Sequence, residues 1–169
     1  MSSNPKDSPR IIAHRIAASG AIPNNPRWPL LVYPGAVAPA AADLAEAFEE
    51  LFDRNRWPAA WRNGVFPFHH YHPNSHEVLG VYEGEVTVQF GGDQGVTVTA
   101  RPGDVIVLPA GTAHKKLSAR GALGIVGAYP EGSDPDTSRG VPSGKCQAPL
   151  PACDPVHGPG GPLFTYWRA

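Results

Sequence analysis

GVFPFHHYHPNSHEVLGVYEG, residues 64–84, is the stretch on which the rest of the chain turns. Its fixed points are Gly64, His70, His72, Glu77 and Gly84. A second stretch, GDVIVLPAGTAH at 103–114, adds His114 behind Pro109 and Gly111. Side chains alternate across an extended strand, so His70 and His72 share a face and their ring nitrogens reach neighbouring corners of one coordination sphere. Pro73-Asn74-Ser75 reads as a turn that brings Glu77 in on the next strand, where Leu79 and Val81 have its parity. Glu83-Gly84 reads as a hairpin turn that ends this strand. In the second stretch Arg101-Pro102-Gly103-Asp104 is a turn and Val105 to Leu108 a buried β run. Pro109-Ala110-Gly111-Thr112 is another turn, and it delivers His114 on the strand that follows. Three histidines and one glutamate form the donor set of a mononuclear metal site. Neutral imidazole suits Fe, Ni, Cu or Zn, and the carboxylate adds hard oxygen character. The sequence therefore predicts an all-β scaffold carrying His70, His72, Glu77 and His114 as metal ligands, with positions left open on a five- or six-coordinate ion.

Outward from these stretches the chain keeps the length and balance of one compact domain. It has 169 residues and a formal net charge of −1, with 14 basic and 15 acidic residues, so it presents no basic footprint for nucleic acid. No apolar run approaches the roughly 18 residues of a membrane span. Met1 to Asp7 is polar and lacks the apolar stretch of a secretory signal. The expectation is a soluble, cytoplasmic protein, with Cys146 and Cys153 as reduced thiols. Residues 1–27 read as a loose arm with a strand near Ile11-Ile12-Ala13-His14, and Leu30 to Tyr33 as a short β run. From Pro39 to Arg56 the period changes: Leu44, Phe48, Leu51 and Phe52 recur at helical spacing, with Glu46, Glu49, Glu50 and Asp53 between them. That amphipathic helix should end near Asn55, before Trp57-Pro58, and cover the barrel. Glu85 to Phe90 and Val96 to Thr99 read as a hairpin around Gly91-Gly92-Asp93. After Pro130 the chain is rich in Pro and Gly and closes on Phe164-Thr165-Tyr166-Trp167.

The two metal-ligating stretches resemble the two motifs of the cupin superfamily, small double-stranded β-helix barrels. Every fixed position is met except the last of the second motif, where the family has Asn and this chain has Ser118. That position is not a ligand in the family. More narrowly, the chain is similar to the YjlB-type group of bacterial single-domain cupins. The likeness rests on Pro23-Asn24-Asn25-Pro26, the run Trp57 to Leu79, Gly127-Ala128-Tyr129-Pro130-Glu131-Gly132 and Asp154-Pro155-Val156-His157-Gly158. The resemblance implies one jelly-roll domain over residues 1–169, with its core barrel at about 61–130. Residues 1–60 would supply an arm, a strand and a helix, and 131–169 a Pro/Gly-rich tail lying on the barrel or on a second subunit. It also implies one divalent transition metal, Fe, Mn or Ni before Zn, and pairing of barrel edges into a homodimer. No reaction comes with the group.

The family uses this ligand set most often for oxygenases, and also for oxidases, decarboxylases, isomerases and lyases. The resemblance thus implies a mononuclear metalloenzyme acting on a small organic molecule. Dioxygenase-like chemistry comes first, and a metal-assisted isomerase or lyase, with Glu77 as a candidate base, second. A non-catalytic binding or sensing module is the reading from another class. Metal-free sugar epimerases among cupins lose their ligands, whereas this chain keeps all four. Phe66 and Phe68 share the parity of His70, so with Leu79 and Val81 they are expected to line the substrate pocket. His69 has the opposite parity and should face away from the cavity, supporting a ligand from behind or lying at the surface; His76 sits beside Glu77, orienting a ligand or standing in solvent. Trp61, Arg62, Tyr82 and Tyr129 are unranked substrate contacts, and Lys115-Lys116 reads as a solvated pair.

Overall fold

Short apolar runs that are buried on both faces of a sheet carry no alternation, and two such runs organise this molecule. The computed structural model describes residues 10–141 and 145–169; the start of the predicted arm lies outside them. The strands are β1 (Ile12–His14), β2 (Leu30–Tyr33), β3 (Ala59–Asn63), β4 (Glu77–Phe90), β5 (Val96–Ala100), β6 (Val105–Leu108) and β7 (His114–Ala128), with helices α1 (Leu44–Arg54) and α2 (Leu163–Tyr166). All strand pairs are antiparallel, in the order β1-β2-β6-β4-β7-β3, and β5 pairs with β4. This is the all-β, jelly-roll architecture that the sequence predicts, with one longer helix. Among the described residues no helix is long and apolar enough to cross a membrane.

The runs in β2 and β6 send alternate side chains into two cores. Leu30, Val32, Ile106 and Leu108 fill the barrel interior with Leu79, Val81, Val88 and Phe90. Leu31, Tyr33, Val105 and Val107 face outward, where Phe48 and Phe52 of α1 cover them. The Asp43 side chain accepts the Glu46 N–H at 2.9 Å and starts α1, and Asn55 ends it at the predicted place. A Cβ on Gly80 would stand 2.7 Å from the Phe48 ring, so that glycine sets how closely helix and sheet approach.

Gly84 corrects one expectation. The strand does not turn there; β4 runs through it to Phe90. Its φ of +74° and a disrupted register against β7 make it a bend inside a long strand pair, where a Cβ would strike the Ala122 carbonyl oxygen at 2.3 Å. The tail lies on the outer core. Trp167 stacks on Trp28 at 5.4 Å and donates its indole N–H to the Pro29 carbonyl at 2.8 Å. The Asp154 carboxylate is fully buried and accepts from the Tyr33 hydroxyl and from the Val156, His157 and Leu163 N–H groups.

Candidate metal centre

Glu77 opens β4 opposite Leu108, and His114 opens β7 opposite Phe90 at the far end of β4, so the two meet across the barrel, side chain to side chain, and not as strand neighbours. His70 and His72 lie on an extended segment outside the named strands. His70 exchanges backbone hydrogen bonds with His114 at 3.2 and 2.9 Å, and the His72 carbonyl accepts the Gly111 N–H at 2.8 Å. Gly111 holds φ +90°, and a Cβ there would press on the Asn24 carbonyl oxygen, so the turn before His114 needs its glycine.

The ligating atoms of His72, Glu77 and His114 lie within 4.8 Å of one another, and all three residues are buried. Glu77 Oε2 stands 3.3 Å from His72 Nε2 and 3.2 Å from His114 Nε2. His72 Nδ1 faces the Asp136 carbonyl at 2.8 Å, and His114 Nδ1 faces the Thr112 carbonyl at 3.2 Å. A carbonyl only accepts, so each Nδ1 carries the proton and each Nε2 turns a lone pair toward Glu77. Oε2 is accordingly a buried acceptor with no donor. Three acceptors meeting at one point need a cation, either extra protons on the imidazoles or a metal ion. Burial would raise the Glu77 pKa, but where the imidazoles take the extra protons, hydrogen bonds from His114 and His72 and their charge outweigh that and hold it well below the usual carboxylate range. Burial would lower His72, yet Glu77 reverses this and raises it. The donor set fits a divalent transition metal.

His70 stands beside this trio. Its ring centroid is 3.9 Å from that of His114, and its Nδ1 faces the Phe68 carbonyl at 3.1 Å. Its nitrogens are outside the converged set of three. Burial, then the charge of His114, lowers its pKa to about 4.

A cavity of about 390 Å³ opens above the cluster, walled by Trp61, Leu79 and Tyr129 among others. Of the predicted wall, Leu79 and Phe66 line the cavity, and the places of Phe68 and Val81 are corrected. Phe66 is at the mouth and 51% exposed, and Phe68 stacks on its outer side at 5.0 Å under the Arg139 guanidinium. Strand parity fails because residues 64–69 are not a strand. Val81 is buried in the barrel core beyond the cavity. His69 points away, as expected, to Asp93 at 3.1 Å. His76 is not solvated: it is 1% exposed, between the Ala110 N–H and the Pro149 carbonyl.

Trp61 and Tyr129, unranked by sequence, both reach the cavity, and the indole donates to the Tyr129 hydroxyl at 3.1 Å. Burial and the Glu77 charge raise the Tyr129 phenol. Arg62 instead pairs with Glu49 on the outside, and Tyr82 packs against Gly124. Lys116 is half-buried on the cavity wall rather than solvated. Its position two residues beyond His114 was the signal for this. Thr137 also reaches the cavity, from a tail segment with no periodic pattern to announce it.

An antiparallel jelly roll closing two histidines around a buried glutamate defines a cupin domain with a site able to hold a metal. The family model described as Cupin domain matches residues 62–121, which contain all four predicted ligands. The protein carried as Uncharacterized protein YjlB of Bacillus subtilis (strain 168) is 41% identical over 155 residues, 88% of this chain and 91% of that protein. Among solved structures, a DUF861 family protein from Thermotoga maritima is 24% identical over 50% of this chain and 89% of its own, at a TM-score of 0.34. The 7S globulin of Momordica charantia is 18% identical over 67% of this chain and 32% of its own, also at 0.34. Likenesses this distant bear no weight for function. The chain belongs to the cupin superfamily, in the group that includes YjlB.

Proposed function

We propose that this chain is a metal-dependent enzyme that binds one divalent transition metal, iron, manganese or nickel before zinc, and acts on a small organic molecule. His72, Glu77 and His114 would hold the ion, with His70 as the fourth ligand beside them. The observation that carries this reading is the buried Glu77 Oε2, which has no donor and faces two imidazole lone pairs at the floor of a cavity. A bound ion supplies Lewis acidity and, for iron, redox chemistry toward O2.

The chain's own residues exclude water and set protons. Leu79 and Trp61 line the cavity with apolar surface. The Tyr129 oxygen accepts the Trp61 indole proton, and with its raised pKa the phenol keeps its own proton to donate. As a ligand Glu77 would have its unpaired Oε2 committed to the ion and would be a poor base. That favours oxygenase chemistry over an isomerase or lyase relying on Glu77.

Elemental mass spectrometry on wild type and His72→Ala tests the metal, and an oxygen electrode with iron-loaded protein and a panel of diketones, thiols and phenols tests the reaction. The expected result is near-stoichiometric metal, lost in the variant, and O2 uptake with a member of the panel. No metal after reconstitution would sink the metalloenzyme. Full iron with no O2 uptake would sink the oxygenase and bring forward Lewis-acid chemistry or binding without turnover.

A further inference from the structure

Strand register puts one cation inside the barrel mouth. On β7, His114 lies opposite Phe90 and Lys116 opposite Val88, and both of those β4 side chains fill the interior. Lys116 therefore shares the inward face with His114, and its backbone N–H is fixed to the Phe66 carbonyl at 2.9 Å. It is the one lysine or arginine lining the cavity among the described residues, and no carboxylate there pairs with it. Among the described residues Glu77 is the one acid on the same lining.

We propose that the cavity takes a small organic carboxylate, with Lys116 holding the acid group at the mouth and Trp61 and Leu79 covering the apolar body. The proposal rests on the metal-site reading above. With neutral imidazoles, Glu77 cancels one charge of a dication, and Lys116 adds a second positive charge within low-dielectric walls. A neutral ligand would leave both uncompensated, whereas an anion offsets them at close range. The volume, about 390 Å³, is at the small end for a ligand pocket, so the anion is small. A phosphate is disfavoured: among the described residues no arginine fork lines this cavity, and neither α1 nor α2 reaches it.

Calorimetric titration of nickel-loaded protein tests this, with benzoate, hexanoate and pyruvate each run against its neutral amide, and phenyl phosphate alongside. At least one acid should bind wild type about tenfold or more tighter than its amide, the range of a hydrogen bond to a charged group. Lys116→Met should lose that preference, Lys116→Arg should keep most of it, and Lys115→Met should match wild type. Equal binding of acids and amides, no binding of any acid, a preference that survives Lys116→Met, or tighter binding of phenyl phosphate would each overturn the carboxylate. Nickel content, measured first on every sample, separates the two claims. A chain that takes up no nickel overturns the metal reading and the charge balance with it. Stoichiometric nickel without a Lys116-dependent preference overturns the carboxylate alone.

Discussion

His76 and His114 are both sealed from solvent, at 1% and 2% exposure, yet they serve opposite faces of one sheet. On the outer face, His76 Nδ1 accepts the Ala110 N–H at 2.9 Å and its Nε2–H donates to the Pro149 carbonyl at 3.0 Å. Trp28 and Trp167 close around the ring at 5.5 and 4.7 Å. Nothing on that imidazole remains to bind a ligand. On the inner face, His114 has one nitrogen satisfied by Thr112 and turns the other to Glu77, which has no proton to offer at neutral pH. Burial and residue type are therefore poor markers of this site. The unmatched lone pair is the marker, and it separates a face that holds the fold together from one that holds a ligand.

The largest effects should split along that line. Glu77→Gln keeps the shape and removes the charge, so metal affinity should fall on the order of a hundredfold or more, beyond the loss typical of a supporting residue. Equilibrium dialysis reads it, and unchanged affinity would show that the carboxylate is not a ligand. His76→Ala should do the reverse. Two buried backbone groups lose their partner at about 1–3 kcal/mol each, and a cavity opens between two indoles, for a total of about 3–5 kcal/mol. Urea midpoints of metal-free protein measure that loss, while metal stoichiometry should not change. A folded His76→Ala protein that fails to take up metal would erase the distinction between the faces.

What the sequence made legible was whatever short-range pattern encodes. The runs Leu30–Tyr33 and Val105–Leu108 and the spacing of Leu44, Phe48 and Phe52 each specify an element by themselves, and the structure has them at those places. The gathering of His72, Glu77 and His114 was legible because turn residues fix the distance between strands. Gly84 misled because a left-handed glycine serves a hairpin and a mid-strand bend equally well, and only the long pairing of β4 with β7 decides between them. Phe68 misled because parity was counted along a segment that is not a strand. The Asp136 carbonyl that sets the His72 tautomer, and the Trp167 ring beside His76, arrive from the tail. No local period announces contacts of that range.

Acid should weaken the outer face in a definite direction. Burial lowers the folded-state pKa of His76 from 6.5 to about 4. The unfolded chain therefore takes up a proton near pH 6.5 that the folded chain refuses. Stability from this group is complete above about pH 6.5 and drains away as pH falls toward 4, by about 3 kcal/mol in all. His70 is lowered as well and adds to the same slope, whereas His72 is raised and acts in the opposite sense. Both are present in wild type and in His76→Asn, so the difference between their stability–pH curves, taken with chelator present, isolates His76. Wild type should be the steeper by about one proton; parallel curves would mean that the ring is not held neutral.

The smallest effect probes whether the faces are independent. Gly80 lies between Leu79 and Val81, which face the barrel interior, while Gly80 itself faces α1. Alanine there would place a carbon 2.7 Å from the Phe48 ring, closer than van der Waals contact allows, and Phe48 is fully buried, so the ring and its helix must shift. Overpacking of this size costs about 1–3 kcal/mol. The strain falls on the α1 side, because β4 is held on its other edges by β6 and β7. Gly80→Ala should therefore lower the urea midpoint while leaving metal affinity as in wild type. A variant that stays as stable but binds metal more weakly would mean that the position of α1 is transmitted through β4 to Glu77, three residues away on the same strand, and that the outer face tunes the inner one.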